Sequence, residues 1–514
     1  MTFKRSVSST PMARLPIRRS IVPLSRRSSD RIRSAKANGA ILPLHIAKFI
    51  AVVTLLLTIA GAFASPEPLL VICVGVTFAA GALLLWPTND APILFMPFAL
   101  QWLQVAVKPI ETALTGQPLE NFADYREILA PGAWLGIASI AALGVGMLIG
   151  RGVSRFDWGR SLARDAIEVW PQGMVAQIAL FLIVAGHVLA VAALFSGPAR
   201  QILLAFADAR HAGLFLLAYW CLLRGRSLGL LTVVSILEVG SGLTGFFADF
   251  RESVLTLLIA AAAASPRLHA RGFMIMGIAL TMTLGLAIFW SAVKHDYRDF
   301  LNQGTGQQVV AQPLGARLSY VGQAADEFNG NQFQKGLRAL TTRESYIDVL
   351  AATMDHVPDV VPFEEGRRLG AAFLNIIEPR IFFPDKPATE DDSVVAAHYT
   401  GLHFDWAVNT SISIGYIGEL YIDFGKVGAV LGALCIGILA GRIYAFLRGY
   451  RGIPLLFTYA ILDTAMLLFI FFESDLVRFL GSALTVFAAC LIVQRFVAPQ
   501  VLIALIARVP KANA

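Results

Sequence analysis

Charge is scarce in this chain. Asp, Glu, Lys and Arg make up 15% of its 514 residues, far below the roughly 25% of a soluble domain, which excludes an ordinary water-soluble fold. Cysteine is scarcer still. Cys73, Cys221, Cys435 and Cys490 each stand inside an apolar run, none at CxxC or zinc spacing, so they read as small core residues and neither a disulfide framework nor a metal site is expected. Gly-x-Ser-Gly and HExxH are missing, which speaks against an intramembrane protease. No repeat of about 20 to 50 residues is visible, and the two halves lack the likeness that transporters often carry.

What is present is apolar: 56% of the residues are hydrophobic. Runs of about 17 to 25 such residues match the length a helix needs to cross a bilayer. Twelve such runs predict an all-α polytopic membrane protein, with spans over residues 43–292 and 425–497. The third and eighth runs, 91–107 and 252–266, are short, and the sixth, 206–223, opens on Asp208, Arg210 and His211.

The net charge of +7 would suit nucleic acid, but its placement points elsewhere. Ten of the 42 Lys and Arg lie in the first 40 residues, a segment too polar to pack a core and expected to be disordered. Basic residues beside a first span favour the cytoplasmic side; binding of anionic lipid is the other reading. The alternation continues along the chain, with Arg151, Arg155, Arg160 and Arg164, then Arg224 and Arg226, Arg267 and Arg271, and Arg448 and Arg451 in every second loop. The expectation is therefore two cytoplasmic tails, 1–42 and 498–514, and a large external loop over 293–424. Within that loop, Arg338 to Met354 has apolar residues near helical spacing and predicts an amphipathic helix, and 304–315 reads as linker.

Between them, PFEEGRRLGAAFLNIIEPRIFFPDKP and SISIGYIGELYIDFGKVGAVLGAL, from Pro362 to Pro387 and Ser411 to Leu434, resemble the bacterial O-antigen and exopolysaccharide repeat-unit polymerase family. The likeness runs from about Arg343 to Gly441 and elsewhere rests on the pattern of spans. It implies a membrane enzyme of the GT-C-like lipid-carrier glycosyltransferase class, set in the bacterial inner membrane. The growing glycan on undecaprenyl pyrophosphate would pass to a hydroxyl of another lipid-linked unit on the periplasmic side, and polyprenyl pyrophosphate would leave. It also implies no cofactor or metal, and as partners the lipid-linked oligosaccharide, the bilayer, and a chain-length regulator and flippase.

Such a reaction needs cations for pyrophosphate, a base for the acceptor hydroxyl and surfaces for sugars. Arg380 and Lys386 lie among Pro379, Pro384 and Pro387, which restrict the backbone; they either grip phosphate or, in Arg380's case, pair with Asp385 or Glu378. Arg367 and Arg368 form a second pair, more in keeping with a solvated face. Arg251, in FFADFRES at a predicted span end, is a further pyrophosphate ligand or is neutralised by Asp249 or Glu252.

If a helix begins before Ile417, Glu419 and Asp423 share a face and are candidate bases; capping or pairing with Lys426 competes. His403 is a further acid-base candidate, favoured over His398, with Tyr399 and Trp406 placed to stack on sugars or to sit at the membrane interface. Glu238, Asp463 and His187, within predicted spans, are functional groups or polar ties between helices. A transporter or flippase, or a non-catalytic scaffold for polysaccharide export, is the competing class.

Overall fold

The computed structural model describes residues 46–86, 91–124, 128–152, 173–243, 250–264, 270–304, 311–378, 383, 391–402 and 412–507. Among them every regular element is helical and none is a strand. Of the expected linker, 305–310 fall outside and 314–315 are helical; the basic first tail and Arg380, Lys386, His403 and Trp406 also fall outside.

Among the described residues, seven helices are long and apolar enough to cross a membrane: Ile46–Ala64, Pro68–Leu85, Ala130–Arg151, Met174–Ala193, Gly197–Arg224, Gly415–Arg448 and Leu476–Ile503. The chain is an α-helical polytopic membrane protein. In order, the first helices are α1 (Ile46–Ala64), α2 (Pro68–Leu85), α3 (Phe95–Thr115), α4 (Ala130–Arg151) and α5 (Met174–Ala193). Pro68 opens α2, where its missing N–H would have had no partner anyway. Then come α6 (Arg200–Ala207), α7 (Ala209–Arg224), α8 (Leu228–Leu243), α9 (Phe250–Ala264) and α10 (Ala270–Asn302). The loop helices are α11 (Leu314–Asp326), α12 (Gly330–Glu344), α13 (Ile347–His356), α14 (Arg367–Ile377) and α15 (Asp392–Thr400). The chain closes with α16 (Gly415–Arg448), α17 (Leu455–Leu467), α18 (Leu476–Ile492) and α19 (Ala498–Ala507).

The single amphipathic helix expected over 338–354 is two, α12 and α13. Local bonding explains the break. The Ser345 hydroxyl donates to Asp348 at 2.7 Å, and the Tyr346 N–H leaves the helical ladder to donate to the Gln104 carbonyl at 3.0 Å. At the C-terminal end, helix continues past 497 into α19 through a turn of π-helix over Val493–Val497.

The closest packing joins α4 and α16 at small residues. A Cβ built on Gly441 would fall 2.6 Å from the Arg151 nitrogen, and one on Gly146 would fall 3.0 Å from the Gly437 Cα. Gly146 with Gly150, and Gly437 with Gly441, are thus two small-xxx-small stripes that let the backbones touch. Lipid tails offer no hydrophobic drive for helix association, so this close approach is what holds the pair.

α16 is broken at Gly425, with φ 68 and ψ −165, a conformation open essentially only to glycine. Residues 415–423 before the break are all buried, whereas Val427 and Leu431 after it are 71% and 54% exposed. The sequence-based start of this span, 425, falls at the break.

Polar groups inside the apolar helices pair across helices. His187 on α5 meets Glu238 on α8 at 2.6 Å, and Thr256 on α9 donates to Asp463 on α17 at 2.8 Å. Both arrangements are the interhelical ties that the sequence left as one of two readings.

Candidate functional site

Residues of α3, α10, α12, α13, α15 and the turn before α18 line a cavity of about 1440 Å³. α10 and α12 contribute Lys294, Arg298, Lys335 and Arg338 to its lining. α10 and α12 pack on one another where Gly336 lies against Ile288, and this brings the two basic pairs to one surface. Their spacings, four residues in α10 and three in α12, keep each pair on one helical face. The carboxylates of the lining come from other elements: Glu111 from α3, Asp392 from α15, and Glu473 and Asp475 from the turn before α18.

That turn is built by capping. Asp475 accepts from the Arg478 N–H at 2.7 Å as the N-cap of α18. The Arg478 side chain reaches Asp392 at 2.5 Å and Asp475 at 3.3 Å. Burial, and then the Asp475 charge, push the Asp392 carboxyl up to about 6 against the opposing pull of Arg478. Its folded value lies above the unfolded one, so the folded state holds the extra proton between about pH 4 and 6. Stability on this account is greatest below pH 4 and falls as pH rises through 6. Thermal unfolding midpoints across that range should therefore decline with pH, and Asp392→Asn should flatten the trend.

Arg251 is tied to the same turn. It donates to Glu473 at 2.9 Å, and its guanidinium lies 4.5 Å from the centre of the Phe471 ring; Glu473 is thus a partner distant in sequence. Gln104 donates to the other Glu473 oxygen at 2.6 Å. Burial alone would raise the Glu473 carboxyl, but Arg251 and Gln104 hold it below the usual carboxylate value. The link between Arg251 and the cavity therefore passes through Glu473.

Glu419 and Asp423 do share the first turns of α16, since the helix begins at Gly415. Each holds the start of another helix. Glu419 accepts from the Leu476 N–H at 2.7 Å at the start of α18 and bonds the Arg368 guanidinium. Asp423 accepts from the Arg368 and Leu369 N–H groups at 3.0 and 2.7 Å at the start of α14. Anions at helix N-termini are favoured by the unpaired N–H groups and the helix dipole. Tyr399 is 6% exposed; its hydroxyl donates to Glu364 at 2.9 Å, and Arg368 lies over its ring. These three side chains lie outside the cavity lining.

The cavity residues that sequence reasoning missed are Lys294, Arg298, Lys335, Arg338, Asp392, Glu473 and Arg478. The i, i+4 and i, i+3 spacing of the four basic residues on α10 and α12 was the available signal. Nothing in the sequence tied them to 473–478.

A family model described as a domain of unknown function, DUF8712, matches residues 171–457, more than half of the chain, and the chain belongs to that family. No curated protein and no solved structure matches it.

Proposed function

We propose that this DUF8712 protein polymerises lipid-linked oligosaccharide repeat units into O-antigen or exopolysaccharide on the periplasmic face of a bacterial inner membrane. The observation that carries this reading is the cavity whose lining includes four basic side chains from α10 and α12 and carboxylates from α15 and the 473–475 turn. Polyprenyl pyrophosphate is a leaving group that cations can neutralise, and Arg offers two parallel donors to phosphate oxygens.

In the proposed step the acceptor hydroxyl oxygen bonds to the anomeric carbon of the donor, and the bond from that carbon to the pyrophosphate oxygen breaks. The hydroxyl proton passes to a carboxylate, for which Asp392 is the best placed, and polyprenyl pyrophosphate departs with the bonding electrons. Lys294, Arg298, Lys335 and Arg338 receive the pyrophosphate, while Arg251 fixes Glu473 and with it the wall of the cavity. Arg380, Lys386, His403 and Trp406 remain candidates on the same loop, which the family resemblance supports. On this reading Glu419 and Asp423 position α18 and α14.

The proposed topology has twelve spans and a GT-C-like class. To the seven long helices it adds the apolar α3, α8, α9, α10 and α17, and it puts both termini in the cytoplasm. The proposed partners are a flippase that delivers the repeat units and a chain-length regulator. The test supplies purified protein in lipid with lipid-linked repeat units and no nucleotide sugar. A ladder of longer glycans is expected; unchanged single units in the presence of native substrate would overturn the reading in favour of transport or scaffolding.

A further inference from the structure

α14 presents a face that water does not explain. Residues 370, 373, 374 and 377 stand at i, i+3, i+4 and i+7, so they form one stripe along the helix. Phe373, Leu374 and Ile377 are 53%, 60% and 70% exposed, and Gly370 at the head of the stripe opens onto empty space. No polar residue lies within this stripe; Arg367, at the first helical position, borders it and pairs with Glu364. The opposite side is the inward one: Ala372 is fully buried, and Arg368 turns in to Glu419. Scattered exposed apolar residues are ordinary, but a contiguous stripe marks an interaction surface.

What meets this stripe is indicated by the neighbour to which α14 is fastened. Asp423 accepts from the second and third N–H groups of α14, those of Arg368 and Leu369, and the Phe424 ring lies against Gly366. One residue later Gly425 turns the chain into the part of α16 whose Val427 and Leu431 face outward along a helix of membrane length. Exposed apolar side chains thus run from Leu431 and Val427 on α16 to Phe424, which lies against Gly366, the residue before α14.

We propose that α14 is an interfacial helix that lays Phe373, Leu374 and Ile377 into the membrane surface and anchors the loop helices to lipid. The occupant of the stripe is the bilayer. A basic residue at the edge of an apolar stripe is what an interfacial helix uses to reach headgroup phosphates, and Arg367 holds that place. The inference does not rest on the polymerase reading, because it concerns where a helix lies and not what the cavity transforms.

Spin labels at Leu374→Cys and Ile377→Cys decide it, in full-length protein whose four native cysteines are replaced by alanine, reconstituted in phosphatidylethanolamine and phosphatidylglycerol vesicles. Dissolved oxygen should relax both labels several-fold more effectively than a water-soluble nickel chelate, as it does at the control Val427→Cys. Labels reached better by the chelate would place the stripe in water and overturn the proposal. Immobile labels reached by neither reagent would place it against protein and overturn it equally. If the cysteine-free chain fails to fold, Leu374→Trp in the otherwise native chain carries the same decision: brominated acyl chains should quench the added fluorescence, and absence of quenching contradicts the proposal.

Discussion

On the proposed polymerase reading, Arg298→Ala combined with Arg338→Ala should leave lipid-linked repeat units single, at normal levels of protein in the membrane. The two side chains come from α10 and α12 and line one cavity, and the proposal assigns both to one pyrophosphate. A hydrogen bond to a charged group contributes about 1.5 to 3 kcal/mol, and loss of two that strengthen as charge develops on the leaving group slows transfer by on the order of 100-fold to 10,000-fold. Single variants should fall between. Arg338→Lys, which keeps the charge but loses the planar pair of donors, should recover part of the rate. Gel analysis of glycan length in cells measures this directly, and long polymer from the double variant would remove the cations from the reaction. Arg338 is exposed and Arg298 half-buried, so the thermal unfolding midpoint of each variant separates folding effects from loss of transfer.

The second large effect is on the fold. Gly441→Leu and Gly146→Leu drive a branched side chain into the backbone of the facing helix, where Arg151 N lies 2.6 Å from the first added carbon at Gly441 and Gly437 Cα lies 3.0 Å from that at Gly146. Overpacking typically costs about 1 to 3 kcal/mol when neighbours can yield. Here the obstacle at each position is backbone, so about 3 kcal/mol or more is expected, a large part of the roughly 5 to 15 kcal/mol that holds most proteins folded. The midpoint of thermal unfolding in detergent should drop sharply and the yield of monodisperse protein should fall. Gly240→Leu on α8 is the control, because a side chain there meets nothing within 4 Å, and it should change the midpoint little.

The membrane character of the chain was legible because bilayer thickness imposes a minimum apolar length on each span, and length and hydropathy are properties of the sequence itself. The break in α16 at Gly425 was not legible, since a glycine's dihedral angles depend on the packing around it. The helical spacing of Glu419 and Asp423 could also be read in advance, and the helix start at Gly415 agrees with it. What the carboxylates touch could not, because the N-termini of α14 and α18 arrive from about 50 residues away on either side.

The cavity is the clearest case of the same limit. Lys294 and Arg298, Lys335 and Arg338, Asp392, and Glu473 with Arg478 are separated by stretches of chain that only tertiary packing closes. Arg251 shows an intermediate situation. Its setting at the start of α9 marked it as a group needing a partner, and the partner, Glu473, belongs to a turn that drew no notice in the sequence because a short polar turn between two apolar helices is common.

The central claim is that the cavity joins one lipid-linked unit to another with loss of its lipid carrier. The direct measurement is stoichiometric: purified protein in lipid receives lipid-linked repeat units without nucleotide sugar, and released polyprenyl pyrophosphate is counted against glycosidic linkages formed. One pyrophosphate-bearing lipid released for each linkage is the predicted result. Repeat units that stay single, with no carrier released while the substrate is in hand, would contradict the account.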